Sequence, residues 1–190
     1  MSINNYDKEG RAGEEAFRDW LDKEKIGYLY IDQTPAFFSP TFKDKLKRPD
    51  FLLLIPNIGF IAIDVKHYST YDNKKSFTLN IDTELDKAVG LENISRTPLW
   101  YAYKKQDDPL DKSWYLINPL NILKQYTKID TNKDDGSEYF VIPLDKFKKV
   151  IKEEDLSRSL LSFKQNDGET NLKKAVEDFR REQLQEELIA

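Results

Sequence analysis

The sequence has no cysteine, one histidine and one methionine among its 190 residues. Without cysteine there is no disulfide framework and no thiolate metal site. A cluster of imidazole ligands is excluded, and a serine–histidine pair would have only His67 to draw on. Glycine is scarce: there are seven, none spaced as the GxxxxGKS or GxxxxGKT loop that cradles nucleotide phosphates. No apolar run reaches the length of about 18 residues that a membrane-spanning helix needs. The opening MSINNYDKEGRAGEE lacks the basic-then-apolar layout of a signal peptide. These absences fit a cytoplasmic chain with no membrane partner. Any metal must rest on oxygen donors, which selects Mg2+ or Mn2+.

Charge is abundant. Asp, Glu, Lys and Arg make up 34% of the chain and the net charge is −4. Of 34 acids, ten fall in residues 153–190, as do six of the 30 Lys and Arg, so the other 152 residues carry 24 of each. The excess acid sits in the tail and the rest is neutral. Basic clusters occur at Lys43, Lys45, Lys47 and Arg48, at Lys104 and Lys105, and at Lys146, Lys148, Lys149 and Lys152. Each reads by itself as a solvated face; the first matters most because it abuts Asp50.

Residues 48–68, RPDFLLLIPNIGFIAIDVKHY, read as two apolar strands joined at Pro56, Asn57 and Gly59. Successive strand side chains point to opposite faces. Asp64, Lys66 and Tyr68 therefore share one face, and Val65 and His67 the other. Burying a carboxylate beside an ammonium is costly unless the two are paired or perform chemistry. The competing reading is structural: an Asp64–Lys66 ion pair with Asp50 capping a strand.

Pro49-Asp50, thirteen intervening residues, then Asp64-Val65-Lys66 resembles the motif of the PD-(D/E)XK nuclease superfamily, with Asp as the second acid. The resemblance covers roughly residues 10–103. It implies an α/β, restriction-endonuclease-like core (helix, three strands, helix, strand) with a mixed central sheet flanked by helices, plus a C-terminal extension. It implies a metal-dependent nuclease hydrolysing phosphodiester bonds, a DNA endonuclease of repair, recombination or defence. Asp50 and Asp64 would hold Mg2+ or Mn2+ with the Val65 carbonyl, and Lys66 would stand beside the attacking water. A Glu on the first helix often joins such sites; Glu14 shares the inward stripe and Glu15 is the fallback.

The order of elements agrees with that core. Residues 9–25 read as a helix with Phe17, Trp20, Leu21 and Ile26 on one stripe, stopped by Gly27. A strand at 28–32 follows, then a long connection, 33–47, whose Phe37, Phe38 and Phe42 either stack on bases or close the core. After the motif strands come a short strand at 77–81 and a helix capped by Asp82 or Thr83. That helix ends at 95–98, and the strand LWYAY at 99–103 is expected parallel to the second motif strand. Further on, 114–117 and 139–142 read as strands, 119–126 as a short helix, 128–137 as a polar loop and 143–152 as a basic helical turn. Leu172, Val176 and Phe179 mark a last helix over 171–188, with 164–171 as the linker before it.

The expected organisation is a nuclease-like domain over 1–152 and an acidic helical extension over 153–190. Lys43, Lys45, Lys47, Arg48 and Tyr68 are candidate substrate contacts. His67 reads as structural, and Ser39, Ser69 and Thr70 have no identifiable base. The partner is nucleic acid, with two arrangements open: a homodimer, or a subunit recruited by a larger complex. The alternative function is a non-catalytic interaction subunit of nuclease fold in a DNA-processing complex.

Overall fold

Alternation along residues 51–68 builds the centre of the fold. β2 (Phe51–Ile55) pairs antiparallel with β3 (Gly59–Tyr68), Phe51 opposite Ile63 and Ile55 opposite Gly59. Gly59 enters the strand at φ 101°, a left-handed conformation open to glycine without a Cβ clash. This computed structural model describes residues 5–33, 39–42, 45–56, 59–68, 70–73, 75–166 and 172–189. Phe37, Phe38, Lys43 and Ser69 lie outside them.

From β3 the chain crosses over through β4 (Ser76–Asn80) and α2 (Ile81–Ser95) to β5 (Leu99–Lys105). β5 lies parallel to β3 with Asp64 beside Tyr101, as expected. β1 (Tyr28–Tyr30) extends the sheet beside β2; β6 (Trp114–Ile117) and β9 (Lys148–Val150) extend it beyond β5. The six-stranded sheet is mixed, in the order β1-β2-β3-β5-β6-β9. β4 instead joins β8 (Glu138–Pro143) and β7 (Lys128–Thr131) in a three-stranded sheet of order β4-β8-β7.

Each face of the main sheet is covered by apolar helix stripes. On one side α1 (Asn5–Lys23) and α4 (Glu153–Asn166) bury Phe17, Trp20, Leu21, Leu156 and Leu160 against Phe51, Ile63, Trp100 and Trp114. On the other, α2, α3 (Pro119–Gln125), α5 (Leu172–Ile189) and the small sheet enclose Ala62, Tyr101, Tyr103, Phe77 and Phe140. The acidic segment thus contributes to both cores: Leu156 and Leu160 to the first, Leu172, Val176 and Phe179 to the second.

Four local expectations change. α1 stops at Lys23, ahead of Gly27. Lys25 takes the left-handed turn at φ 57°, and the Ile26 N–H donates back to the Leu21 carbonyl, returning Ile26 to the core. The cap of α2 is Asn80, whose side chain accepts from the Thr83 N–H at 2.9 Å, so the last residue of β4 serves the helix as well. The stretch read as a polar loop contains β7: Lys128 to Thr131 pair with β8 on an outer strand that needs no apolar alternation. The expected basic helical turn is a short 3-10 turn, Leu144–Lys146, followed by β9, whose Lys148 and Lys149 are exposed on a sheet edge. Charged residues suit such an edge because they discourage pairing with a second chain. Of the expected linker, 164–166 are helical and 167–171 lie outside the described residues.

Candidate active site

Asp50 precedes β2 directly, and the register places it beside Asp64 on the face that looks toward α2. Asp64, Lys66 and Asp50 are 5%, 8% and 8% exposed. The Asp50 N–H donates to the Ile63 carbonyl at 2.8 Å, and its Oδ2 accepts from the Val65 N–H at 2.6 Å. A strand residue sends its N–H and C=O to the same edge. Since Val65 N–H points past the end of β2, where β3 has lost that partner, the Val65 carbonyl opens on the same gap.

Asp64 and Lys66 belong to a four-membered charge ring. Lys66 Nζ lies 2.8 Å from Asp64 Oδ2 and 2.9 Å from Glu84 Oε1. Lys47 Nζ lies 3.0 Å from Asp64 Oδ1 and 2.8 Å from Glu84 Oε2. Asp64 Oδ2 and Glu84 Oε2 are buried and touch an ammonium, but not along the line of a hydrogen bond, so each keeps acceptor capacity. The Tyr101 hydroxyl on the same face is buried with no hydrogen-bond partner among the described residues.

Electrostatics divide the carboxylates. Burial, then the negative charge of Asp64, pushes the Asp50 carboxyl up to about 8; the Val65 N–H opposes this and Glu14 adds to it. Burial would also raise Asp64, but the ammoniums of Lys47 and Lys66 outweigh it and hold that carboxyl below its ordinary value. Burial works against the charge of Lys66, and Asp64 and Glu84 more than offset it, so its pKa stands well above the usual range. Lys66 is therefore a fixed cation and no proton acceptor at neutral pH.

The other expected residues are placed less centrally. Glu14, half-buried on α1, accepts from the Tyr30 hydroxyl at 2.6 Å; its helix covers the opposite face of the sheet. Its charge reaches Asp50. Glu15 is exposed. Tyr68 is 42% exposed and meets the Tyr103 ring edge-on at 6.2 Å. Lys45 is exposed, and Arg48 is engaged by Gln33 through its Nε at 2.7 Å. His67 is half-buried on the α1 face, where its Cβ leaves room only for glycine at position 13.

Glu84 is the participant the sequence reading missed. A usable signal existed: Ile81, Glu84, Leu85 and Ala88 are spaced as one helical stripe, and Glu84 is its single charged member. Lys47, one of the expected substrate contacts, lies inside the ring.

Three carboxylates (Asp50, Asp64, Glu84) face two ammoniums (Lys47, Lys66), with Glu14 adding negative charge from behind. Buried oxygens with spare acceptor capacity, a carboxyl driven toward neutrality and a carbonyl on a free edge make a donor set suited to a hard divalent cation. Among the described residues, three acidic side chains do not converge tightly enough to form a ready-made cage. Mg2+ tolerates sparse protein ligation because it keeps several waters.

The main sheet shows the expected order of helix, three strands, helix and parallel strand, with β4 set aside in the small sheet. No family model matches the sequence, and no curated protein matches it. Nine solved chains are similar, two of them as follows. One is the Holliday junction resolvase Hjc of the archaeal hyperthermophile Archaeoglobus fulgidus, at 16% identity, 73% of this chain, 91% of that chain and a TM-score of 0.46. The other is a nuclease from a fusselovirus, at 18% identity, 87% of this chain, 96% of that chain and a TM-score of 0.43. None of the described helices is long and apolar enough to cross a membrane.

Proposed function

We propose that this protein is a metal-dependent nuclease that hydrolyses phosphodiester bonds, a DNA endonuclease using Mg2+ or Mn2+. One observation carries the reading. Asp50, Asp64 and Lys66 are buried together on one face at the end of the sheet, and burial with the charge of Asp64 leaves the Asp50 carboxyl raised. Asp50, Asp64 and the Val65 carbonyl would hold the ion, with Glu14 joining directly or through water. When bound, such an ion lowers the pKa of a water and offsets charge on the phosphate.

The remaining chemistry belongs to the protein. Lys66, held protonated by two carboxylates, presents a cation to the negative charge that develops on the phosphate oxygens. Tyr68, exposed on the same face, contacts the substrate. Of the expected basic contacts, Lys45 is open to solvent and suited to a phosphate. With one such site among the described residues, cutting both strands of a duplex takes two copies or two binding events. Repair, recombination and defence all supply such substrates.

The second reading is a nuclease-fold interaction subunit without activity. One observation favours it: both oxygens of Asp64 are already held by lysines. Incubating plasmid, linear and branched DNA with the protein in Mg2+, Mn2+ or EDTA, beside Asp64→Ala and Lys66→Ala, separates the two. The nuclease reading expects metal-dependent cutting that both folded variants lose. Absence of cutting on any DNA or RNA, with no metal bound, would leave the interaction subunit.

A further inference from the structure

Lys47 differs from the other ring members because a loop segment carries it. That segment is seated on α2. The Lys47 N–H donates to the Lys87 carbonyl at 2.8 Å, and Gly90 makes room for the Lys45 carbonyl, which any Cβ there would strike. Glu84, Lys87 and Gly90 follow one another at three-residue steps, so one side of α2 receives the segment. The Lys47 side chain, 13% exposed, spans Asp64 Oδ1 at 3.0 Å and Glu84 Oε2 at 2.8 Å. A solvated surface lysine has no such seat.

We propose that Lys47 is an internal counter-ion of the cation site: it occupies Asp64 Oδ1 in the metal-free protein, then withdraws onto Glu84 and faces the substrate phosphate. This rests on the cation site proposed above. A buried carboxylate left unpaired is costly, and Lys47 removes that cost while the site is empty of metal. A cation that takes Asp64 Oδ1 meets Lys47 as a like charge on the same oxygen. Glu84 already holds the ammonium, so the lysine retreats without becoming an unpaired buried charge. Lys66, on the other oxygen of Asp64, keeps its place. Glu84 is thus a positioning residue, and Lys47 becomes a phosphate contact in the metal-loaded state.

The test is calorimetric titration of Mn2+ into the full chain as wild type, Lys47→Met, Glu84→Gln and the double variant, with Lys45→Met as a charge control from the same segment and Lys47→Arg as a charge-retaining variant. Lys47→Met is expected to tighten Mn2+ binding about tenfold and Glu84→Gln to weaken it about tenfold, as coupled neighbours do. The Glu84→Gln effect should vanish once Lys47 is Met. Lys45→Met and Lys47→Arg should bind as wild type does. At saturating Mn2+, Lys47→Met should cut DNA more slowly and with a higher KM. Equal tightening by Lys45→Met, or no tightening by Lys47→Met, would overturn the counter-ion role while the cation site stands. Additive effects in the double variant would overturn the handover to Glu84. Absence of Mn2+ binding in wild type and Lys47→Met alike would remove the cation site itself.

Discussion

The two faces of β3 solve burial in opposite ways. Toward α1, Ile63 and Val65 meet an aromatic cluster in which Phe17 lies 4.7 Å from Trp114 and 5.3 Å from Phe51, ring centre to ring centre. Such pairs add about 0.5–1.5 kcal/mol beyond area burial. Toward α2, one residue along the same strand, Asp64 and Lys66 enter a ring of charges closed by Lys47 and Glu84. Replacing a buried ion network by apolar groups is often neutral or stabilising by about 1–4 kcal/mol. Stability alone would have favoured a second apolar face. The contrast supports the proposal that chemistry belongs to the charged end of the α2 face, beside an apolar core that, like the α1 face, holds the sheet.

Mutations on each side should therefore part company. Asp64→Asn is expected to reduce DNA cleavage on the order of 10³-fold or more, the scale of losing one preorganised charge contact. Single-turnover cleavage in Mn2+ reads it. Trp114→Ala, on the other face, should cost about 3–5 kcal/mol in urea unfolding and leave Mn2+ affinity at the wild-type value. Gly90→Ala sharpens the comparison. Alanine gains about 1 kcal/mol of helix propensity, but its Cβ strikes the Lys45 carbonyl, for a net loss of about 1–3 kcal/mol and a changed Mn2+ affinity as Lys47 leaves its seat.

Asp50 gives a pH test. Its carboxyl is raised to about 8 in the folded protein from an ordinary value of 3.8. Neutral Asp50 is compatible with the fold and ionised Asp50 is not relieved, so this stabilising contribution is complete below pH 3.8 and is lost as pH rises toward 8. Melting of the metal-free protein should fall across that window more steeply than in Asp50→Asn, and added Mn2+ should restore it. The smallest effect belongs to Asn80→Ala: loss of the α2 cap should cost about 1 kcal/mol in thermal unfolding, with Mn2+ binding nearly unchanged.

Strand parity made the α2 face legible. Asp64 and Lys66 fall two residues apart, so the sequence alone puts them together, and the apolar run 51–55 places Asp50 beside them. The parallel strand LWYAY followed from its crossover. What escaped depends on partners rather than on pattern. β7 and β9 are short outer strands with exposed lysines, whose pairing shows only when β8 and β6 are in place. The seat of Lys47 depends on a loop, which has no period to read. Asn80 escaped as a cap because it ends a strand and starts a helix at once. Glu84 was readable, since its neighbours on the stripe are apolar.

On the proposed reading the α2 face is a cation site and not a closed ring of ion pairs. The most direct measurement is calorimetric titration of Mn2+ near pH 7 in buffers of different ionisation enthalpy, for wild type and Asp50→Asn. A cation site predicts binding that releases about one proton per ion, since a raised carboxyl must ionise to become a ligand, with that proton absent in Asp50→Asn. No binding by wild type, or the same proton release in both proteins, would contradict it.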